Sequence, residues 1–191
     1  MVSEQDATVQ CILRSNEWFM AILRAARAVA LPDWFIGAGA VRNTVWDALH
    51  GYAEPTPPAD VDVVFFDPQD LTPARDAAAD ALLQAQLATI PWQAKNQAAV
   101  HLWYPARFGS AVDPVTSSYD AIATWPETAT CVGVRLLADD ALVIAAPHGL
   151  DDLLHMVLRR NPRRVTVEVF RQRLQSKSIP EKWPRVQVID G

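Results

Sequence analysis

The sequence predicts an α/β (α+β) fold, a small mixed β-sheet with flanking helices, and three observations carry that expectation. The apolar run Trp34-Phe35-Ile36 meets a glycine pair and passes into residues at helical spacing, the pattern of strand, tight turn and helix. A second run, Asp60 to Phe66, is rich in β-branched and aromatic residues and closes on Asp67-Pro68. Around these runs lie amphipathic helical segments able to pack on a small sheet. With 191 residues, 50% of them hydrophobic, the chain can bury its own core, and 1–191 reads as a single domain with a basic helical C-terminal segment, 148–185.

Taken in order, Ile12, Phe19, Ile22, Leu23, Ala26 and Val29 recur at helical spacing and predict an opening helix that ends at Leu31-Pro32. Strand 34–36 and the turn at Gly37 and Gly39 follow. Val41, Val45, Trp46 and Leu49 then take up a helix that stops at His50-Gly51, and Glu54-Pro55-Thr56-Pro57-Pro58 can only be a loop. After strand 60–66, Ala74 to Thr89 is an alanine-rich helix, and Trp92 to Tyr104 reads as a strand weakened by Asn96-Gln97-Ala98-Ala99. Thr116 to Ala123 is helical or turn-like. Ala129 to Leu137 and Ala141 to Ala146 flank an acidic turn at Asp139-Asp140, a hairpin pattern. His148 to Asn161 has acids in its first turn, arginines in its last and leucines on one side, which predicts a helix aligned with its macrodipole. Val165 to Lys177 is a further helix, and Trp183-Pro184 opens a short tail.

Composition narrows the function classes. Every apolar stretch is interrupted by charge well before the ~20 residues a membrane span requires, and the N-terminus is acidic where a secretory signal would be basic, so a cytoplasmic protein is expected. Cys11 and Cys131, far apart, support neither a disulfide framework nor a thiolate metal site and read as core residues. Net charge is −5, but 159–185 carries +7 and the remainder −12. That asymmetry permits a cationic face for a polyanion, although a solvated amphipathic helix explains it more simply.

The chemistry concentrates in Gly37-Ala38-Gly39-Ala40-Val41-Arg42-Asn43 and, one helix and a loop later, Asp60-Val61-Asp62. On a strand alternate side chains share a face, so the two carboxylates sit roughly 7 Å apart at their roots and can converge on a cation. Two crowded carboxylates need a compensating charge, and hard oxygen ligands select Mg²⁺ or Mn²⁺. The glycine turn lets backbone N–H groups at a helix N-terminus approach phosphate oxygens, and Arg42 can add charge-assisted hydrogen bonds. These parts together make a nucleoside triphosphate site with metal-assisted attack on the α-phosphorus.

These motifs, with Trp46-Asp47, Leu49-His50-Gly51, Lys95-Asn96-Gln97-Ala98, His101, Trp125-Pro126-Glu127-Thr128-Ala129-Thr130, Gly149-Leu150, Asp152-Leu153 and Trp183-Pro184, resemble an uncharacterised bacterial nucleotidyltransferase-like family within the DNA polymerase β-like nucleotidyltransferase superfamily. The resemblance runs from about Leu31 to Pro184 and implies a nucleotidyltransferase-like fold. It implies that Gly37, Gly39, Arg42 and Asn43 hold the triphosphate, joined by Lys95 and Asn96, and that Asp60 and Asp62 bind metal. The expected activity is Mg²⁺-dependent transfer of NMP from an NTP to a hydroxyl of an acceptor, RNA or a small phosphorylated molecule.

Active superfamily members usually present a third carboxylate on a later strand. Here 92–104 contains no Asp or Glu, and His101 is the residue there able to accept a proton, with Asn96 as a possible acceptor-orienting group. Glu127, Asp113 or Asp120 could supply a carboxylate from elsewhere. The alternative is a catalytically inactive nucleotide- or RNA-binding module that keeps the fold. Dinucleotide, Walker A and nucleophile-elbow patterns are incomplete in this sequence.

Overall fold

The computed structural model describes residues 3–190. The opening helical stretch is two helices, α1 (Glu4–Ser15) and α2 (Glu17–Val29). Asn16 between them is extended, and its side chain accepts a hydrogen bond from the Phe19 amide at 2.8 Å, so one residue ends the first helix and caps the second. Then come β1 (Phe35–Gly37), α3 (Gly39–His50), β2 (Val61–Phe65), α4 (Pro73–Gln86) and β3 (Trp92–Asn96), close to the pattern read from the sequence.

The expected strand 92–104 ends at Asn96, where a single 3-10 turn leads into a helix, α5 (Val100–Phe108). Asn96 makes the bend by accepting a hydrogen bond from the Ala98 amide at 3.2 Å. Beyond it lie α6 (Ser118–Ile122) and the expected hairpin, β4 (Gly133–Leu136) with β5 (Leu142–Ala145).

The expected helix 148–161 is the largest correction. Only α7 (Asp151–Leu154) is helical; Met156 then takes φ 56°, and β6 (Val157–Arg159) pairs in parallel with β7 (Gln187–Ile189), in the segment expected to be a tail. Leu150, Leu153 and Leu158 are buried, as a helix would bury them, but one helical turn plus a strand meets the same demand. The distant partner strand decides between the two, and local periodicity is blind to it. Between β6 and β7 run α8 (Val167–Lys177) and α9 (Ile179–Lys182).

The main sheet has the order β3-β2-β1-β4-β5, with β2 and β3 parallel and the other neighbours antiparallel. Strand alternation sorts its faces. Ile36, Val61, Val63, Phe65 and Ala94 point into the main core, which also takes Phe19, Leu23, Val45, Trp46 and Leu83 from the helices. Phe35 and Val64 point the other way, into a small cluster with Ile122, Cys131 and Ala145. Asp62, Gln93 and Lys95 share that second face by register, since Asp62 pairs with Gln93 and Val64 with Lys95. Cys131 is buried as expected, whereas Cys11 is exposed on α1. Among the described residues, no helix is long and apolar enough to cross a membrane.

The two motif glycines have different reasons to be glycine. A Cβ on Gly37 would lie 2.5 and 2.7 Å from ring carbons of Trp125 and 2.9 Å from the Val132 carbonyl oxygen. A Cβ on Gly39 would find Pro58 at an ordinary 3.6 Å. Gly37→Ala is therefore expected to destabilise the protein by about 1–3 kcal/mol, whereas Gly39→Ala leaves the urea midpoint near wild type. Urea unfolding of both variants measures the contrast.

Candidate active site

The second face of the sheet opens into a cleft of about 500 Å³. Ala38, Gly39, Arg42 and Asn43 enter it from the β1–α3 turn, Asp60 and Asp62 from the start of β2, and Gln93 and Lys95 from β3. Its far side is built by Trp125 and Glu127 and by the C-terminal helices with Arg173, Lys177, Lys182 and Trp183. Two segments separated by more than a hundred residues thus meet across one opening.

The turn itself differs from the expectation of a glycine-made turn. Gly37 belongs to β1, packed by Trp125, and the residue with positive φ is Ala38, at φ 50° and ψ −120°. A non-glycine residue there stores about 1–3 kcal/mol of strain, tolerated where the surroundings fix the chain. Gly39 starts α3 and lines the cleft with room for close backbone approach. Gly37 therefore serves the turn by letting Trp125 pack close.

Arg42 is 5% exposed and lies over two indoles, 5.6 Å from the Trp46 ring centre and 5.5 Å from that of Trp183. Its Nε and Nη2 both donate to Asn43 Oδ1, at 3.2 and 2.8 Å. Burial lowers its pKa to about 10, with Glu127 opposing the fall. The Trp183 indole is fixed in turn, since its Nε1 donates to Asp47 Oδ1 at 2.8 Å. Asp47 Oδ2 accepts from the Thr56 amide at 2.6 Å and Asn43 Nδ2 donates to the Thr56 carbonyl at 3.0 Å. These bonds staple the loop ahead of Asp60 to α3.

Asp60 and Asp62, two residues apart at the start of β2, both line the cleft. Asp62 is pushed up to about 6, first by desolvation and then by repulsion from Asp60, partly offset by Lys177 and Arg173. A carboxyl whose folded pKa exceeds its unfolded 3.8 gives the native state stability at low pH, lost as pH rises through about 6. In divalent-free buffer, wild type is therefore expected to lose stability relative to Asp62→Asn between about pH 4 and pH 7, which thermal melts across that range read directly. Two hard carboxylate oxygens crowded in this way fit a divalent cation such as Mg²⁺ or Mn²⁺. Among the described residues, no cluster of three His, Cys, Asp or Glu side chains stands ready to hold a metal. The strand position beside Asp62 is Gln93.

Glu127 does reach the cleft, 2% exposed, but its carboxylate is taken. Arg173 donates to it through Nε at 2.7 Å and Nη2 at 3.2 Å, and Thr130 Oγ1 donates at 3.2 Å. The guanidinium holds its pKa below the ordinary value despite burial. Asp113 and Asp120 do not line the opening.

Besides Gly37, two expected site residues lie outside the cleft lining. His101 sits on α5, away from the lining, with its Nδ1 buried and without a partner. Asn96 holds a loop, donating to the Asp67 and Asp70 carbonyls at 2.8 Å and accepting from the Asp67 amide at 2.9 Å. Lys95 does line the cleft and is paired with Asp76 at 3.1 Å.

The basic tract is largely engaged within the fold. Its arginines are occupied within the fold, Arg159 with Asp152, Arg163 with Asp120, Arg171 with Asp190 and Arg173 with Glu127. Arg160, Arg164 and Arg185 donate to the Val165 carbonyl, Thr124 Oγ1 and the Leu49 carbonyl. The cleft roles of Arg173, Lys177, Lys182 and Trp183 were not assigned from the sequence. The i, i+4 spacing of Arg173 and Lys177 puts both on one helical side, which was the available signal.

Residues 24–188 match a protein family described as Nucleotidyltransferase. A solved structure described as an NMR structure that reveals a CCA-adding enzyme head domain is similar, with TM-score 0.80 and 28% identity over 100% of this chain and 98% of that one. No curated protein matches.

Proposed function

Because the chain belongs to the nucleotidyltransferase family matched by residues 24–188, we propose that the cleft is the active site of an Mg²⁺- or Mn²⁺-dependent enzyme moving NMP from an NTP to an acceptor hydroxyl. The observation that carries this reading is the meeting of opposite charges in one opening, lined by the Asp60–Asp62 pair and by the buried cation Arg42. The acceptor oxygen attacks the α-phosphorus, the bond from that phosphorus to the bridging oxygen breaks, and pyrophosphate leaves. A divalent cation, when bound by Asp60 and Asp62, supplies charge neutralisation for the triphosphate. Arg42, held between two indoles, binds phosphate oxygens without reorganising, and Gly39 lets the backbone approach them. Glu127 is committed to Arg173, so the acceptor's proton leaves to water or to the Asp pair. One domain over 1–191, acting in the cytoplasm, carries the site, and the acceptor is an RNA or a small phosphorylated molecule.

Incubation with each α-labelled NTP and Mg²⁺ or Mn²⁺, with and without total RNA or cell extract, tests the reading. Pyrophosphate release with label on an acceptor supports it, and its absence under every combination refutes it. Gln93 standing beside Asp62, where a carboxylate would complete the set, favours the second reading, a nucleotide-binding module without transfer. NTP-dependent stabilisation without release is its signature, worth ~2.7 kcal/mol at a hundred times the dissociation constant.

A further inference from the structure

Among the described residues, α5 is the α-helix that buries none of its side chains. It is nevertheless apolar, with Leu102 57% and Phe108 55% exposed and Trp103 beside them. The rings of Trp103, Tyr104 and Phe108 touch one another, with centres 4.5–6.5 Å apart and planes inclined by 40–49°. None of the three belongs to either hydrophobic cluster of the fold. A contiguous aromatic face left in water marks an interaction surface.

Charge selects the partner. Residues 92–112 contain no Asp or Glu. The guanidinium of Arg107 lies 5.4 Å from the Phe108 ring centre, and that of Arg164 lies 4.7 Å from the ring centre of Tyr104. Arg164 donates to the neutral Thr124 Oγ1, and neither arginine has a carboxylate partner among the described residues. Rings that offer stacking faces, set beside guanidinium forks open to phosphate, match a polymer of flat bases and anionic links. The strand must be single, because a duplex hides the faces of its bases. A two-fold contact with a second copy fits less well, since each α5 would bring Arg107 up to a helix with no acid to receive it.

The surface also adjoins the cleft at two points. Gln97, in the 3-10 turn that leads into α5, is part of the cleft lining. Arg164 is bonded to Thr124, whose neighbour Trp125 lines the cleft as well. We propose that Trp103, Tyr104 and Phe108 of α5, with Arg107 and Arg164, dock a single-stranded RNA and lead it to the cleft, which makes RNA the acceptor class. This assignment rests on the nucleotidyl-transfer reading for RNA as the polymer. These residues hold the strand, and the chemistry stays in the cleft.

Fluorescence anisotropy of a short labelled oligouridylate, titrated with the whole protein, tests the surface. Trp103→Ala and Phe108→Ala are each expected to weaken binding about tenfold with the melting temperature near wild type, whereas Trp103→Phe keeps a flat ring and most of the affinity. Arg107→Gln is expected to weaken binding and to flatten its dependence on salt. Leu82→Ala, at a side chain of α4 that is 51% exposed, is the control and binds as wild type does. An oligouridylate that fails to bind wild type, or binds both alanine variants as tightly, overturns the proposal. So does tighter binding of an oligothymidylate or of an RNA duplex. A wild-type dimer in sedimentation that falls apart in both alanine variants assigns the face to a second copy and overturns it too. Failure of the parent reading looks different. RNA binding that depends on Trp103 and Phe108, without NMP transfer to any acceptor, removes the enzyme and leaves the surface. Transfer to RNA whose KM for RNA is unchanged in both alanine variants removes the surface and leaves the enzyme.

Discussion

Asp62→Asn is expected to lower NTP-dependent pyrophosphate release about a thousandfold while the protein stays folded. The substitution keeps the volume of the side chain and removes the charge that a divalent cation would seek. Because Asp62 is pushed up to about 6 by desolvation and by Asp60, its ionised form is a burden on the fold, and the amide relieves it. The variant is thus predicted to melt at or above the wild-type temperature at pH 7 while losing its activity. Wild-type rates in a stable Asp62→Asn protein would remove the carboxylate pair from the mechanism. Combined with Asp60→Asn, the substitution removes both carboxylates of the pair, and residual release is expected to reach background.

Glu127→Ala is expected to have the largest effect on stability. Its carboxylate is 2% exposed and bonded to Arg173 through two nitrogens, with Arg42 and Lys177 also lowering its pKa. Deleting it leaves buried positive charge with no counter-ion, a loss of about 3–5 kcal/mol, and roughly a 10 °C fall in melting temperature. Arg173→Met imposed on Glu127→Ala removes the stranded charge, and the double variant is expected to recover part of the loss. A double-mutant cycle in urea measures that coupling, and strict additivity would refute it.

The parts of the fold legible in the sequence are those specified locally. The 34–36 strand, the helix starting at the glycine turn, the Asp60–Phe66 strand and the hairpin with its turn at Asp139-Asp140 each carry their own pattern and turn chemistry. Misreadings occurred where a distant partner decides. The leucines of 150–158 satisfy a helix and a turn-plus-strand equally, and β7 thirty residues later selects the second. In the site, the Asp60–Asp62 pair, Gly39, Arg42, Asn43 and Lys95 were legible because motif spacing puts them near one sheet edge. His101 was misplaced because the strand expected to carry it ends at Asn96, and Asn96 because strand alternation turns it to the face opposite Lys95. Gly37 does not line the cleft, and its missing side chain is explained by the distant ring of Trp125 and the Val132 carbonyl. Arg173, Lys177 and Lys182 were hidden in plain view, as sequence charge does not say which cations are already matched.

The Trp183 indole has a consequence in time. It hydrogen-bonds Asp47 across 136 residues of chain and lies against Trp46 in an edge-on contact with ring centres 5.5 Å apart. The pocket for Arg42 is thus finished by a residue synthesised long after the helix it completes. A nascent chain emerging from the ribosome can pair its first strands while the guanidinium is still open to water, and Arg42 becomes preorganised only after the late helices have docked.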